Sequence, residues 1–200
     1  MLRERWSSLS GAAKGFRIDV TSRVGAALWL RKCTRVGVKP RTYGRPHIEN
    51  HGRITIGDRV RLSSAWAPLE LVTGPGGVIE ISDGVFINYG TLISARRRVR
   101  IGADVMIGNY AIIADTDIPG IGDPPGAPPA EVSDVEIDDG AWLAARVTVL
   151  PGSRIGAGAV IAAGSVVSGE IPPGVVAGGI PARILRTVDD ELPTSGGSPE

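Results

Sequence analysis

Two hundred residues with a net charge of +1 fit one domain large enough to bury a proper core, and the near-neutral field points to neither nucleic acid nor membrane as the partner of the whole chain. A single cysteine, Cys33, excludes an internal disulfide framework and a cysteine metal site. Glycine, at 28 residues, is about twice its usual share of roughly 7%, while aromatics make up only 4%.

Residues 1–44 read as a basic, partly helical arm. Residues 1–45 carry 11 Lys and Arg against Glu4 and Asp19. Such an arm can lie on anionic lipid, pack on an acidic partner surface, or stand as a solvated helix at a subunit interface. Val20, Val24 and Leu28 share one helical face with arginines on the other. This predicts a helix that caps the open end of the repeat region beyond it. The apolar run VGAALWL, between Arg23 and Arg31, is far shorter than the roughly 20 residues that span a bilayer. No convincing signal-peptide cleavage site stands near it, so a cytoplasmic protein is expected.

From residue 45 to 187 the chain is organised by a spacing of six. Ile56 and Leu62 begin a weak series. Residues 65–80 interrupt it with Pro68 and the turn cluster at Gly74–Gly77, which predicts a slack coil with a small bulge. Ile81, Ile87 and Ile93 form the next series, and Ile101, Ile107 and Ile113 another. Residues 118–134 then hold five prolines and predict a loop thrown out of the repeat, of the kind that often carries function. Ile137, Leu143, Val149, Ile155, Ile161 and Val167 form the last series, without a slip. Pro172 and Pro173 cannot continue a hydrogen-bonded ladder and are expected to mark its edge. Residues 188–200, rich in Ser, Gly, Pro and acids, read as a disordered tail.

An α-helix cannot keep a six-residue register, because six residues advance about 600° and the stripe precesses. A plain strand would repeat every second residue instead. The spacing fits a solenoid of short parallel strands, each hexad making one flat side and a corner of small residues. Three sides give a coil of about 18 residues, and coils stack at about 4.8 Å. Roughly five coils are expected, with the aliphatics pointing into a prism too thin for aromatics.

The hexads, and above all the phrase IDDGAWLAARVTVLPGSRIGAGAVIAAGSVVSGEIPPGVVAGGIPARIL, resemble the hexapeptide-repeat ("isoleucine patch") acyltransferases, in their maltose, galactoside and capsular-sugar O-acetyltransferase branch. The resemblance implies an all-β fold, a left-handed parallel β-helix. It also implies a homotrimer with three interfacial sites, and acyl transfer, with acetyl-CoA or another acyl-CoA as donor, to a hydroxyl or amine of a sugar or other small molecule. No metal is expected. Carried over residue by residue, Trp142 matches the tryptophan beside the cofactor groove, though a corner aromatic packed on the next subunit would look the same. Ala144, Ala145, Ala162, Ala163 and Gly164 match the small residues that flank pantetheine. Arg183 matches the basic residue near the nucleotide phosphates, in a phrase that reads Gly-Ile-Pro-Ala-Arg where the family usually has Asn-Pro-Ala-Arg. Asn88 and Tyr89 match the acceptor-side segment, where the resemblance implies an asparagine near the sugar and the catalytic base, so Asn88 joins the catalytic candidates.

One family feature is missing. Aligned on Asp115, Thr116 and Asp117, the catalytic histidine falls on Pro119, which cannot carry a proton. His47 and His51, the two histidines of the chain, stand at the first coil. Asp117 or Asp115 could serve as the base, although an aspartate after a strand can equally form a turn. Alternatively the acceptor is nucleophilic enough to react without one. The remaining readings are a β-helix protein that binds a small molecule or carrier without catalysis, a scaffold, or one turned to another reaction.

Overall fold

The computed structural model describes residues 20–116 and 132–189. Its strands run around a three-sided prism and stack into three sheets, here A, B and C. Sheet A holds seven strands from Arg35–Val36 to Glu170–Ile171, sheet B eight from Arg41–Tyr43 to Ala182–Thr187, and sheet C six from His47–Asn50 to Val166–Val167. This is a parallel β-helix of six coils with two sides of a seventh, one to two coils more than the spacing predicts.

The additional coil lies where residues 1–44 were expected to form only an arm. Arg35–Val36 pairs with Thr55–Ile56, and Arg41–Tyr43 pairs with Arg61–Ser63, both in parallel. The prism therefore begins at residue 35. Val36, Thr42 and Ile48 keep the spacing of six, but Thr42 puts a hydroxyl where an aliphatic would have announced the coil. The ladder also runs past Pro172 and Pro173, which occupy a corner rather than an edge. Beyond them Val175–Gly179 pairs in parallel with Val160–Ile161, and the edge is closed by Ala182–Thr187, the one antiparallel partner among the described strands.

The slips between series have a simple cause. Register pairs Glu136 with Arg154, eighteen residues on, but Val78 with Arg98, twenty on. In the longer coil Val78–Ile81 and Leu92–Ala95 each run four residues and bury two side chains, Ile79 with Ile81 and Ile93 with Ala95. Later sides such as Thr148–Val149 run two residues. The aliphatics of every series are buried in one continuous core. At the A–B corner, aspartates brace the stack: Asp58, Asp83 and Asp139 accept from the backbone N–H of Val38, Asp58 and Ala103 in the coil before.

Residues 20–29 are helical, continued by a 3-10 turn at Leu30–Lys32. The helix caps the prism, but not with the face its pattern suggested. Ser22, Ala26 and Leu30 are buried, and Gly25 lies so close to the Trp29 ring and the Thr42 hydroxyl that a side chain there would collide. Val20, Val24 and Leu28 face outward, 43%, 63% and 51% exposed. Small residues let the helix settle onto the first coil, where a valine face would hold it off. Beside this seat, burial pushes the Cys33 thiol up to about 12. Because the thiolate is the reactive form, Cys33 should react with a disulfide reagent at neutral pH at least about tenfold more slowly in the folded protein than in denaturant; equal rates would mean the thiol is not shielded.

Candidate active site

The three outer faces differ in chemistry. Sheet A carries alternating charge, with Arg98 on Glu80 at 2.8 Å and Arg154 within 3.6 Å of Glu136 and of Asp138. Sheet B presents an apolar ladder of Phe86, Met106, Trp142, Val160 and Val176 on successive coils, with the Arg61 guanidinium 5.2 Å from the Phe86 ring. Sheet C presents Leu92, Ile112, Thr148 and Val166. Met106, Trp142 and Ile112 are exposed large apolar side chains.

Between sheets B and C runs a corner that collects most of the residues singled out from sequence. Asn88 and Tyr89 stand on its third coil, Ala144 and Ala145 on its fifth, Ala162, Ala163 and Gly164 on its sixth, and Trp142 opens the strand leading into the fifth. Arg183 extends the column, because it pairs with Gly178 on the last coil, and its guanidinium donates to the Ala182 carbonyl at 3.0 Å. The backbone is spliced along this column: Tyr110 N–H donates to the Tyr89 carbonyl, Arg146 N–H to Asn109, and Gly164 N–H to Ala145.

The middle amides of this corner differ from those opposite the bracing aspartates. Tyr89 N–H donates to its neighbour's Asn88 Oδ1 at 2.9 Å. Among the described residues, no acceptor meets the N–H of Asn109, Ala145 or Ala163. All three residues are at least partly exposed. The corner therefore offers a line of unspent backbone donors about 4.8 Å apart, walled by methyl groups and the Trp142 ring. Sequence reasoning missed two residues here. Tyr110 and Arg146 hold φ of 57° and 59° in the slot where Gly90 and Gly164 sit, a left-handed conformation that a bulky side chain adopts at a cost of about 1–3 kcal/mol. Tyr110 meets Tyr89 edge to face, with centroids 5.6 Å apart. The signal was available: a corner phrase reading Gly-Asn-Tyr in place of a terminal glycine.

Asp115 lies at the other edge of sheet C. Its carboxylate is buried and spans the corner of the coil before, Oδ1 accepting from Arg96 N–H at 2.8 Å and Oδ2 from Arg97 N–H at 2.6 Å. Both oxygens are engaged on backbone, so Asp115 braces the corner of the coil before it. Beside it the chain ends on either side of residues 117–131 meet in a neck: Thr116 bridges Val132 antiparallel, Ser133 N–H donates to the Asp115 carbonyl, and Arg97 meets Asp134 at 2.8 Å. Asp117 and Pro119 lie outside the described residues; Asp117 comes directly after the last residue of the neck. His51 opens the first coil's corner on the same edge, three coils before Thr116, in a groove with Thr73, Ser94 and Arg96. At about 4.8 Å per coil it stands some 14 Å from that level. No group of three His, Cys, Asp or Glu side chains that could hold a metal occurs among the described residues.

These features define a class. A family model described as bacterial transferase hexapeptide (six repeats) matches residues 134–169. The chain is 36% identical over 154 residues to WbbJ of Escherichia coli (strain K12), which carries the name of a lipopolysaccharide biosynthesis O-acetyl transferase, with 72% of this chain and 77% of that one covered. It is 30% identical over 127 residues to galactoside O-acetyltransferase of the same strain, covering 64% of this chain and 63% of that enzyme. The hexapeptide-repeat-containing acetyltransferase VCA0836 of Vibrio cholerae O1 biovar eltor, solved with acetyl coenzyme A, shares the fold, with a TM-score of 0.60 at 24% identity over 89% of this chain and 87% of that one. The chain belongs to the bacterial hexapeptide-repeat transferases.

Proposed function

We propose that the protein is a cytoplasmic acetyltransferase that moves an acetyl group from acetyl-CoA to a hydroxyl or amine of a sugar or similar small molecule. The observation that carries this reading is the line of free N–H groups at Asn109, Ala145 and Ala163. A pantetheine arm has amide carbonyls to accept from them, and the alanine and glycine walls of Ala144, Ala145, Ala162, Ala163 and Gly164 leave room for its chain. Trp142 supplies an apolar flank, and Arg183, at the end of the column, a cation for phosphate. The names of the relatives, O-acetyl transferases among them, agree with this donor and acceptor class.

The geometry also favours a homotrimer. Thr116, which Asp117 follows in the chain, and the donor column border opposite edges of sheet C, some 15 Å apart at roughly 3.3 Å per residue. One copy alone leaves them separated, whereas the loop edge of one copy set against the B–C corner of its neighbour brings base and donor together. The apolar faces of sheets B and C would be covered in this arrangement, and the charged face of sheet A would remain in water. In the reaction the acceptor oxygen or nitrogen bonds to the thioester carbonyl carbon and Asp117 takes its proton. Corner amides hold the oxyanion. The C–S bond then breaks, and the thiolate leaves as coenzyme A thiol on taking a proton. Asn88 and Tyr89 position the acceptor.

Calorimetric titration with acetyl-CoA, paired with thiol release in the presence of sugar acceptors, tests the reading. Binding near one site per chain with acceptor-dependent thiol release is expected. Absence of binding at millimolar acetyl-CoA would make the corner column architecture alone, and the silent or scaffold reading would replace this one.

A further inference from the structure

We infer that the helix-capped end of the prism docks on an anionic phospholipid surface, through the Val20–Val24–Leu28 stripe and the cations on both sides of it. The cap helix rests on the first coil by Ser22, Gly25, Ala26 and Leu30, so its opposite, apolar face points away from the body of the prism. Two shallow grooves border the helix. One is edged by Arg23, Arg31 and Lys39, and the other by Lys32 and Arg45. Residues 20–48 contain seven Lys and Arg and no Asp or Glu. Two further exposed apolar side chains belong to the same end: Val38, next to Lys39, and Trp66, in the loop whose Pro68 shares a groove with Leu28.

A solvated basic face gains nothing from an exposed valine–leucine stripe, and a stripe with cations on both flanks needs a partner that is anionic on both sides, which a phospholipid surface supplies throughout. A convex apolar line with cations on both flanks fits an interface whose acyl boundary takes the short side chains while its phosphates meet the arginines and lysines. No helix among the described residues is long and apolar enough to cross a membrane, so the contact lies in the plane of the surface. A rotation axis parallel to the prism, as the trimer reading implies, would set three such ends in one plane and let a flat bilayer engage them together. The docking itself does not depend on the acetyl-transfer reading, since it uses none of the corner residues.

Sedimentation of the full chain with vesicles decides it. Binding is expected to phosphatidylcholine vesicles containing phosphatidylglycerol, to weaken at high salt, and to be absent with phosphatidylcholine alone. The double variant Val24→Asp/Leu28→Asp, at two exposed positions, should lower partitioning by at least about tenfold, with the acetyl-CoA titration and the sizing profile unchanged. Equal binding to neutral vesicles, full binding by the variant, or no binding by the parent protein would overturn the proposal. A change of oligomeric size in the variant would also overturn it, by showing the stripe to be a contact between copies.

Discussion

Asp117→Asn is expected to lower acetyl transfer by roughly 10²–10⁴-fold, the range that a general base contributes, while acetyl-CoA affinity stays nearly constant. The amide has almost the shape of the carboxylate but cannot take the acceptor's proton. The expectation is specific because Asp117 directly follows Thr116 in the chain, and Thr116 is bridged to Val132. The histidine slot at Pro119 supplies no alternative group. Parallel loss of turnover and of donor binding would show that the residue shapes the pocket instead, and unchanged turnover would remove it from the mechanism.

Its neighbour two positions earlier should behave in the opposite way. Asp115→Ala removes both acceptors of the Arg96 and Arg97 amides. Leaving two such donors unmet costs about 3 kcal/mol, which corresponds to a fall in Tm of roughly 6–12 °C for a chain of this length. Asp115→Asn keeps one acceptor oxygen but turns its Nδ2 donor onto the other N–H, so it too should melt well below the parent protein. Enzyme surviving at low temperature should bind acetyl-CoA as before. The pair of variants separates a brace from a base in one experiment, since Asp117→Asn should leave Tm almost unchanged. If Asp115→Ala melts with the parent protein, the two short bonds contribute little and the corner is held by the stack alone.

The parts of the fold legible in the chain are those the repeat demands. Inward isoleucines such as Ile107 and Ile161 are obligatory in a narrow core, so the spacing of six exposed them directly. The hand of the coil was not legible, because spacing is the same in either hand. Thr42 hid the first coil by placing a hydroxyl where the cap helix lies against the prism. The helix was recognised from Val20, Val24 and Leu28, yet its orientation was reversed, because amphipathic pattern reports a stripe without saying whether small residues opposite it offer a closer fit. At the corner, the alanines and Gly164 were found through a phrase, whereas the free amides between them belong to backbone and leave no mark in side-chain identity. Tyr110 and Arg146 were overlooked for a related reason: their backbone angle, not their chemistry, sets them apart.

The neck at Thr116 and Val132 has a consequence for how such a protein can change. Both ends of the excursion leave and rejoin the same corner, and the coils on either side remain in register, Val99 on Val135 and Ile113 on Val149. Chain can thus be added or removed beyond the neck without shifting a single inward side chain, and the entropy of closing a longer excursion rises only slowly with its length. The segment beyond the neck is in effect an exchangeable cartridge on a spindle of stacked coils, free to change length while the B–C corner keeps its geometry.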